Sequence, residues 1–248
     1  MAGSRPLTPR EERLLLRHIR RINARDRALI SAQMFLGFRI SEILALTIGH
    51  VVHLGAIRDR VAMPPRFLKG KRGSTCTVPI GQELRRALER YLFQRAARGP
   101  LQPNDPLFLS PRRDADGRPH AIRRSMAQKI IKKALSKIAA DPQGLSSHSL
   151  RKSWGLRLYE ASGHDLLIVR DGLGHRSVAV TQIYLPTSAD RMEACMRETD
   201  WTHRHPRRAK LPAKPGHFGG EKGKGSRRRK GGRRDFFPRP ITRYRGCE

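Results

Sequence analysis

The chain has 248 residues, 38% of them hydrophobic, and its 52 Lys and Arg against 21 Asp and Glu give a formal net charge of +31. This length and hydrophobic content can supply a packed core, which excludes a wholly disordered protein. A charge this large repels itself in a compact chain unless a polyanion neutralises it, so nucleic acid is the expected partner.

Membrane, secretory and metal-binding signals are weak in this sequence. No run approaches the roughly 18 apolar residues that a membrane-spanning helix needs, and MAGSRPLTPR lacks the apolar stretch of a secretory signal. Cys76, Cys195 and Cys247 form neither a disulfide framework nor a metal knuckle, and the pair His203 and His205 lacks nearby thiols or carboxylates. We predict a cytoplasmic, nucleoid-associated protein with no membrane partner, no metal and no cofactor.

The first predicted elements are helices. LTPREERLLLRHIRR predicts a helix with Thr8 as its N-cap and Pro9 at its first position. A second helix runs through DRALISAQMFLG and ends at Gly37, and ISEILAL predicts a short third one. From about residue 50 to 80, β-branched residues punctuated by Gly and Pro predict two or three short antiparallel strands.

Helices also dominate the rest of the predicted domain. QELRRALERYLFQRAA predicts a helix, LFLS a short buried strand or extended segment, DADG a turn, and residues 121–140 a basic amphipathic helix. After SSHSLRKS the pattern is helical nearly to Arg197, with breaks expected at Gly163, Gly172 and Gly174. The predicted fold class is therefore mainly α with a small antiparallel β-sheet (α+β).

The composition divides the chain near residue 203. Residues 203–248 contain 16 Lys and Arg against three acidic residues and few side chains able to bury. This segment is predicted to be a basic, disordered tail. Residues 1–202 are the predicted folded domain, and they keep a net charge of +18.

The stretch SSHSLRKS combines a helix start with two phosphate-binding side chains. A serine before a helix caps free backbone N–H groups, and such groups also attract phosphate. His148 and Arg151 stand three residues apart and would project to the same side of a helix. Arginine offers a fixed fork for phosphate oxygens and histidine can carry a proton. This stretch alone leaves two interpretations open, a phosphate site and a capped surface helix.

Three further stretches favour the phosphate site. GFRISEILAL places Arg39 at the entrance of a short amphipathic helix, where a buried charge is costly unless it meets an anion. LGHRSVAVTQIYL places His175 after a glycine turn and Tyr184 nine residues further on. FLKGKRGSTCTVPI predicts a hairpin whose tip carries Lys69 and Lys71.

Taken in chain order, this set of Arg, Lys, His-x-x-Arg, His and Tyr resembles the catalytic set of the tyrosine recombinases, the phage-integrase family, over about residues 7–195. The resemblance implies the tyrosine recombinase catalytic domain fold. It also implies a site-specific DNA recombinase, of the integrase or invertase type, that cleaves and rejoins strands through a covalent 3′-phosphotyrosine intermediate. The implied partners are double-stranded DNA and three further copies of the chain, as a homo-tetramer on paired sites.

The resemblance also implies a role for each side chain. Tyr184 would be the nucleophile that holds the cut strand covalently. Arg39 and Arg151 would hold the nonbridging oxygens and stabilise the charge of the phosphorane. His148 and His175 would assist proton transfer or position the phosphate. This chemistry requires no metal.

The general acid is a lysine with two candidates. Lys69 lies in a K-G-K-R-G pattern like that of family members with longer hairpins and is preferred, whereas Lys71 fits a shorter spacing to the following V-P. Protonation of the departing 5′ oxygen is its implied role. Glu42 is interpreted as a structural partner for an arginine, Asp165 as a helix cap and Asp171 as part of a solvated face.

Some features depart from the family. Arg39 comes so early that a separate N-terminal clamp domain is not expected, so the chain resembles short, catalytic-domain-only members such as the fimbrial switch invertases. Lys152 stands where the family often has a second histidine, and SADRMEACMRE is expected to pack in trans on a neighbouring protomer. Two other functions stay open: a non-catalytic DNA-binding regulator derived from a recombinase, and relaxation of supercoils as by a type IB topoisomerase.

Overall fold

The computed structural model describes residues 4–64, 76–112, 116–117, 119–175 and 177–182. All of these residues belong to one unit of the chain. Within them lie nine helices and four strands: α1 Pro9–Ile19, α2 Ala24–Phe35, α3 Ile40–Leu44, α4 Ile48–Val51, β1 Val52–His53, β2 Ala56–Ile57, β3 Arg60–Met63, β4 Cys76–Pro79, α5 Gln82–Ala96, α6 Arg124–Leu135, α7 Ser147–Ala161, α8 Leu166–Leu173 and α9 Val178–Gln182.

The start of α1 follows the predicted capping chemistry. The Thr8 hydroxyl accepts a hydrogen bond from the Glu11 backbone N–H at 3.2 Å, and the Glu11 carboxylate accepts one from the Thr8 N–H at 2.8 Å. These reciprocal bonds satisfy backbone donors that the first helical turn leaves free, and Pro9 has no N–H to satisfy. Leu15 and Ile19 are buried against the core. The prediction for this helix is confirmed.

Helix α2 lies at the centre of the packing. It contacts α1, α3, α5, α6 and α7, and every residue from Ala28 to Met34 is buried. A helix buried on all its faces in this way needs neighbours on every side. It ends just before Gly37, as predicted, and Gly37 has a φ of +66°. This left-handed residue turns the chain sharply, so the next residues start α3 close to the end of α2.

The strands confirm the antiparallel prediction but differ from it in number. Strand β1 pairs with β2, and β3 pairs with β4 in the register Arg60↔Pro79 to Met63↔Cys76. The described residues thus hold four strands in two separate two-stranded ladders, rather than two or three in one sheet. The short helix α4, which the sequence did not predict, precedes β1 and contacts β3. The hairpin tip predicted to carry Lys69 and Lys71 lies outside the described residues.

The basic helix α6 is shorter than predicted at both ends. The backbone N–H of Ile122 donates to the carbonyl of Phe108 at 2.9 Å, and Ala121 forms a β-bridge with Leu109. Residues 121–123 are therefore extended, and α6 begins only at Arg124. LFLS is an extended segment with this single bridge, the second of the two predicted alternatives, and Leu107 and Phe108 are buried as expected.

The last described helices correct one of the predicted breaks. Asp165 caps α8 as predicted, because its carboxylate accepts from the N–H groups of Leu167 and Ile168 at 2.7 and 3.3 Å. Gly172 lies inside α8 and does not end it. The helical prediction to Arg197, the segment expected to pack in trans, and the tail from residue 203 lie outside the described residues. In the part of the chain that is described, no helix is long and apolar enough to cross a membrane.

Candidate active site

Four of the predicted site residues come from three separate elements and meet in one cluster. Arg39 is the residue that immediately precedes α3. His148 and Arg151 lie in the first turns of α7, whose start is capped by the Ser146 hydroxyl. His175 is the second residue after α8, following the C-cap Gly174. The cluster therefore depends on how α7 packs against α8 and against the end of α2.

Arg151 is the most buried member of the cluster, with only 1% of the residue exposed. Its guanidinium donates to the backbone carbonyl of Gly37 and, at 2.5 Å, to the carbonyl of Leu173. These carbonyls stand at the C-terminal ends of α2 and α8, where the helix dipole is negative. These two carbonyls fix the orientation of the guanidinium.

A single buried carboxylate lies between the two arginines. Glu42 is 2% exposed, and its carboxylate accepts from the Arg39 guanidinium at 2.8 Å and from the Arg39 backbone N–H at 2.7 Å. Its other contact is an ion pair with the Arg151 guanidinium at 3.8 Å. The interpretation of Glu42 as a structural partner for an arginine is confirmed. Among the described residues, two guanidinium groups thus contact this one carboxylate, an arrangement that suits the binding of an anion.

His148 lies at the exposed start of α7, beside the arginines. Its pKa is below the usual 6.5, first because burial disfavours the charged imidazolium and then because four cations surround it. These cations are Arg151, Arg39, Arg124 and Lys152. A histidine with a lowered pKa is neutral at pH 7, so it can accept a proton from a reacting group.

His175 is held between Arg151 and α9. The ring is buried, its Nε2 lies 3.4 Å from the Arg151 guanidinium, and its Nδ1 lies 3.1 Å from the Thr181 hydroxyl. A guanidinium can only donate, so Nε2 faces it as the acceptor nitrogen and Nδ1 carries the proton toward Thr181. This geometry indicates a neutral imidazole that orients the Arg151 guanidinium.

Sequence reasoning missed two contributors to the cluster. Thr181 is fully buried against His175, and its only signal was a polar residue in the apolar run VAVTQIYL. Arg124 opens α6 and adds positive charge near His148. The sequence signal for Arg124 was the basic character of the predicted helix, which did not indicate which residues the positive charge would lie near. Lys152, noted as a departure from the family, adds positive charge at the same place.

Lys69, Lys71 and Tyr184 lie outside the described residues, so their positions in the site remain predictions. The described ends of both segments are nevertheless close to the cluster. Cys76, where the hairpin re-enters β4, has its sulfur 3.7 Å from the carbonyl of Gly172 in α8. Thr181, three residues before Tyr184, contacts His175.

The cluster can bind a phosphate-like anion without a metal ligand set. Among the residues that the structure describes, no group of three or more His, Cys, Asp or Glu could hold a metal ion. The cationic face is formed instead by Arg39, whose side chain is 29% exposed, above the fully buried Arg151. A separate cleft of about 580 Å³ lies at the opposite end of α2, lined in part by Arg25, Arg95 and Arg98.

Comparison with known proteins gives concordant results. The family described as the phage integrase family matches residues 5–191. A protein named tyrosine recombinase XerD, from Corynebacterium glutamicum, is 32% identical over 188 residues, which are 75% of this chain and 54% of that protein. The chain thus spans about half the length of the curated relatives it matches.

Solved structures resemble the fold. The XerH site-specific recombinase, in a post-cleavage complex with a palindromic difH substrate, matches with a TM-score of 0.63 at 24% identity, over 82% of this chain and 55% of that one. The XerA recombinase matches with a TM-score of 0.61 at 23% identity, over 80% of this chain and 64% of that one. These likenesses confirm the predicted fold class. The narrower resemblance to fimbrial switch invertases stays a prediction.

Proposed function

This chain belongs to the phage integrase family, and we propose that it is a site-specific DNA recombinase of the integrase or invertase type. It would cleave and rejoin DNA strands through a covalent 3′-phosphotyrosine intermediate. The observation that supports this function best is the cluster in which Arg39 and Arg151 share the one carboxylate of Glu42. Such a cluster fixes two guanidinium groups in place, as a phosphodiester that gains charge during cleavage requires.

The proposed substrate is double-stranded DNA. The net charge of +31 favours a polyanionic partner, and the solved XerH complex contains the difH substrate. We also propose that four copies act together on two paired sites, and that the protein resides with the nucleoid in the cytoplasm. The basic segment 203–248 would contribute phosphate contacts that weaken steeply as salt rises.

The proposed cleavage step conserves the energy of the phosphodiester bond. The Tyr184 phenolic oxygen attacks phosphorus and loses its proton, the bond from phosphorus to the 5′ oxygen breaks, and that oxygen gains a proton. One side of the cut strand is then joined to the enzyme through its 3′ phosphate, and the other side begins with a free 5′ hydroxyl. Attack by the 5′ hydroxyl of another strand reverses these changes and releases the tyrosine.

The arginines and histidines have distinct proposed roles in this step. Arg39 and Arg151 contact the nonbridging oxygens and stabilise the added charge of the phosphorane. His148, neutral at pH 7, accepts the phenolic proton or positions the phosphate. His175 holds the Arg151 guanidinium through Nε2. Thr181 lies against His175, and three residues of chain reach at most about 10 Å, so Tyr184 can approach the same phosphate.

The proposal is tested by covalent capture on a nicked suicide substrate, from which the short strand beyond the cut diffuses away. Wild-type protein should form an adduct that survives denaturation, whereas Tyr184→Phe should form none and should bind the same DNA with unchanged affinity. Tyr159→Phe removes a hydroxyl elsewhere on the chain and should capture DNA normally. An adduct formed by Tyr184→Phe would assign the nucleophile to another residue, and no adduct with wild type on its own site would support a non-catalytic regulator.

The general acid is proposed to be Lys69. A 5′-bridging sulfur leaves as a thiolate and needs no proton, because a thiol is far more acidic than a sugar hydroxyl. Lys69→Ala should therefore slow cleavage of ordinary DNA about 100-fold or more and cleave the sulfur-bridged substrate at close to the wild-type rate. Lys71→Ala is the matched variant. If the sulfur-bridged substrate restored the cleavage rate of Lys71→Ala and not that of Lys69→Ala, the general acid would be Lys71.

A further inference from the structure

We propose that Trp154 is a positioning residue for the phosphate-binding arginine Arg151. It would act through the backbone, by setting the separation of the two turns whose carbonyls hold the guanidinium. This inference rests on the proposed function, since it concerns how fast the bound phosphate is cleaved.

The indole of Trp154 packs directly on the turn that follows α2. Its Nε1 donates to the carbonyl of Phe35 at 3.0 Å. A Cβ placed on Gly37 would lie 2.3 Å from Cε3 of the indole, closer than any side chain permits. Gly37 also has a φ of +66°, so both its conformation and the contact require glycine. The turn is therefore in close contact with the ring.

The same ring contacts α8 on its other side. A Cβ placed on Gly172 would lie 2.9 Å from Cη2 of Trp154 and 2.6 Å from Cδ2 of Leu158. Gly172 therefore lets the backbone of α8 lie against the indole, although less closely than Gly37 does. The six-membered ring of Trp154 is thus a spacer between the end of α2 and the end of α8.

The two turns that the indole separates both accept hydrogen bonds from the Arg151 guanidinium. Arg151 donates to the carbonyl of Gly37 itself and to that of Leu173, the neighbour of Gly172. Arg151 and Trp154 are three residues apart on α7 and so lie on the same side of this helix. A guanidinium is rigid and planar, so the separation of its two acceptors determines its orientation. Removing the indole would let the two turns approach, and the guanidinium would rotate or lose one acceptor.

The other side of the Gly37 turn is already fixed. Gln33 is buried in α2, and its Nε2 donates to the carbonyl of Phe38 at 2.9 Å. The turn is thereby bound by a side chain of α2 on one side and by the indole on the other. A shift at Trp154 therefore affects the Gly37 carbonyl first and Arg39, which lies beyond Phe38, less.

The experiment compares full-length Trp154→Ala with Leu158→Ala, a variant that removes packing against the same glycine of α8. Each is assayed for DNA affinity and for the single-turnover rate of covalent capture. Trp154→Ala should slow capture about 100-fold, as expected for a displacement near 1 Å in a catalytic group, with affinity changed less than about threefold. Leu158→Ala should slow capture much less than Trp154→Ala, because it loses packing on the α8 side only and the indole still separates the two turns.

A modified substrate separates positioning from a general loss of structure. Replacing a nonbridging oxygen of the scissile phosphate by a methyl group removes the charge that Arg151 neutralises. On this methylphosphonate, the difference between wild type and Trp154→Ala should fall from about 100-fold to less than about fivefold, because the displaced guanidinium is no longer needed. A defect of equal size on both substrates would overturn the positioning role.

The remaining outcomes are also decisive. Absence of capture by the wild-type protein counts against the proposed function, whereas wild-type capture by Trp154→Ala counts against this inference alone. If Trp154→Ala is unfolded at the assay temperature, Trp154→Phe is assayed in its place, because it keeps a ring between the glycines and loses the hydrogen bond to Phe35. Trp154→Phe should slow capture of ordinary DNA about tenfold, and this difference from wild type should also shrink on the methylphosphonate. A wild-type rate for Trp154→Phe would overturn the inference.

Discussion

Two arginine–glutamate pairs in this protein have similar chemistry and opposite consequences. Arg5 and Glu11 meet through two hydrogen bonds, of 2.8 and 2.6 Å, and the carboxylate also accepts from Thr8. Each charge of this pair is matched by the other. Glu42, in contrast, lies between Arg39 at 2.8 Å and Arg151 at 3.8 Å, and one negative charge faces two positive ones.

In the described residues the two pairs differ in how many guanidinium groups contact the carboxylate, rather than in residue type. The Arg5 side chain is 41% exposed and joins the N-terminal lead to the loop before α7, where its backbone N–H donates to the Gly144 carbonyl. Arg151 is almost completely buried and has neutral carbonyls as its closest acceptors. A buried cation is costly in the free protein and is stabilised further when an anion binds.

The largest expected effect is a slower rate of cleavage when the guanidinium group of Arg151 is replaced. Arg151→Lys keeps the charge but cannot hold both carbonyls and a phosphate oxygen at once, so covalent capture should slow by about 100- to 1,000-fold. Arg5→Lys makes the same exchange in the balanced pair and should leave the capture rate unchanged. Equal rates for Arg151→Lys and wild type would show that the cluster around Glu42 is not the phosphate site.

The next effect is on folding when the shared carboxylate is neutralised. Glu42→Gln removes the carboxylate that both arginines contact and should lower the free energy of unfolding by about 3–5 kcal/mol. Sulfate should restore more stability to Glu42→Gln than to Glu11→Gln, because the first variant removes the carboxylate from two guanidinium groups and the second from one. Denaturant unfolding with sulfate and with chloride measures this, and taking the difference between the variants cancels the general salt effect. Equal restoration in both would contradict the distinction between the pairs.

The balanced pair predicts a smaller loss that depends on pH. The hydrogen bond from Arg5, followed by the bonds from Thr8, lowers the pKa of Glu11 from 4.5 to about 2. The ionised form thus stabilises the fold above pH 4.5, and this contribution disappears as the pH falls through about 2. Glu11→Gln should lower the free energy of unfolding by about 1–3 kcal/mol at pH 7 and by much less near pH 2. If the stability difference between Glu11→Gln and wild type stayed constant with pH, the ionised Glu11 carboxylate would not be its cause.

The smallest effect concerns the ionisation of His148. Burial and the neighbouring cations hold its pKa below 6.5, so its NMR titration should have a midpoint below that of an exposed histidine. Since protonation is less favourable in the folded state, this histidine reduces stability as the pH falls below 6.5. Arg39→Gln removes one of the cations and should raise the midpoint, whereas Arg5→Gln should not. A midpoint above 6.5 would show that an anion, rather than the arginines, dominates its surroundings.

Local rules predicted the parts of the fold that depend on neighbours in sequence. The cap at Thr8, the cap at Asp165 and the end of α2 near Gly37 depend on residues within one helical turn, and all three are as predicted. The predicted start of α6 was wrong because a β-bridge between Leu109 and Ala121 holds the residues before Arg124 in an extended conformation. Such a bridge depends on two segments far apart along the chain, for which the pattern of one segment carries no signal.

The sequence by itself determined which side chains belong together, because the order and type of Arg39, His148, Arg151 and His175 in their motifs identified the family before any coordinates. Only the tertiary structure decided how Arg151 is held. Its two carbonyl acceptors are 114 and 22 residues away, at Gly37 and Leu173. Backbone carbonyls are present at every residue and leave no trace in a sequence, so their selection depends on the packing of α7 against α2 and α8.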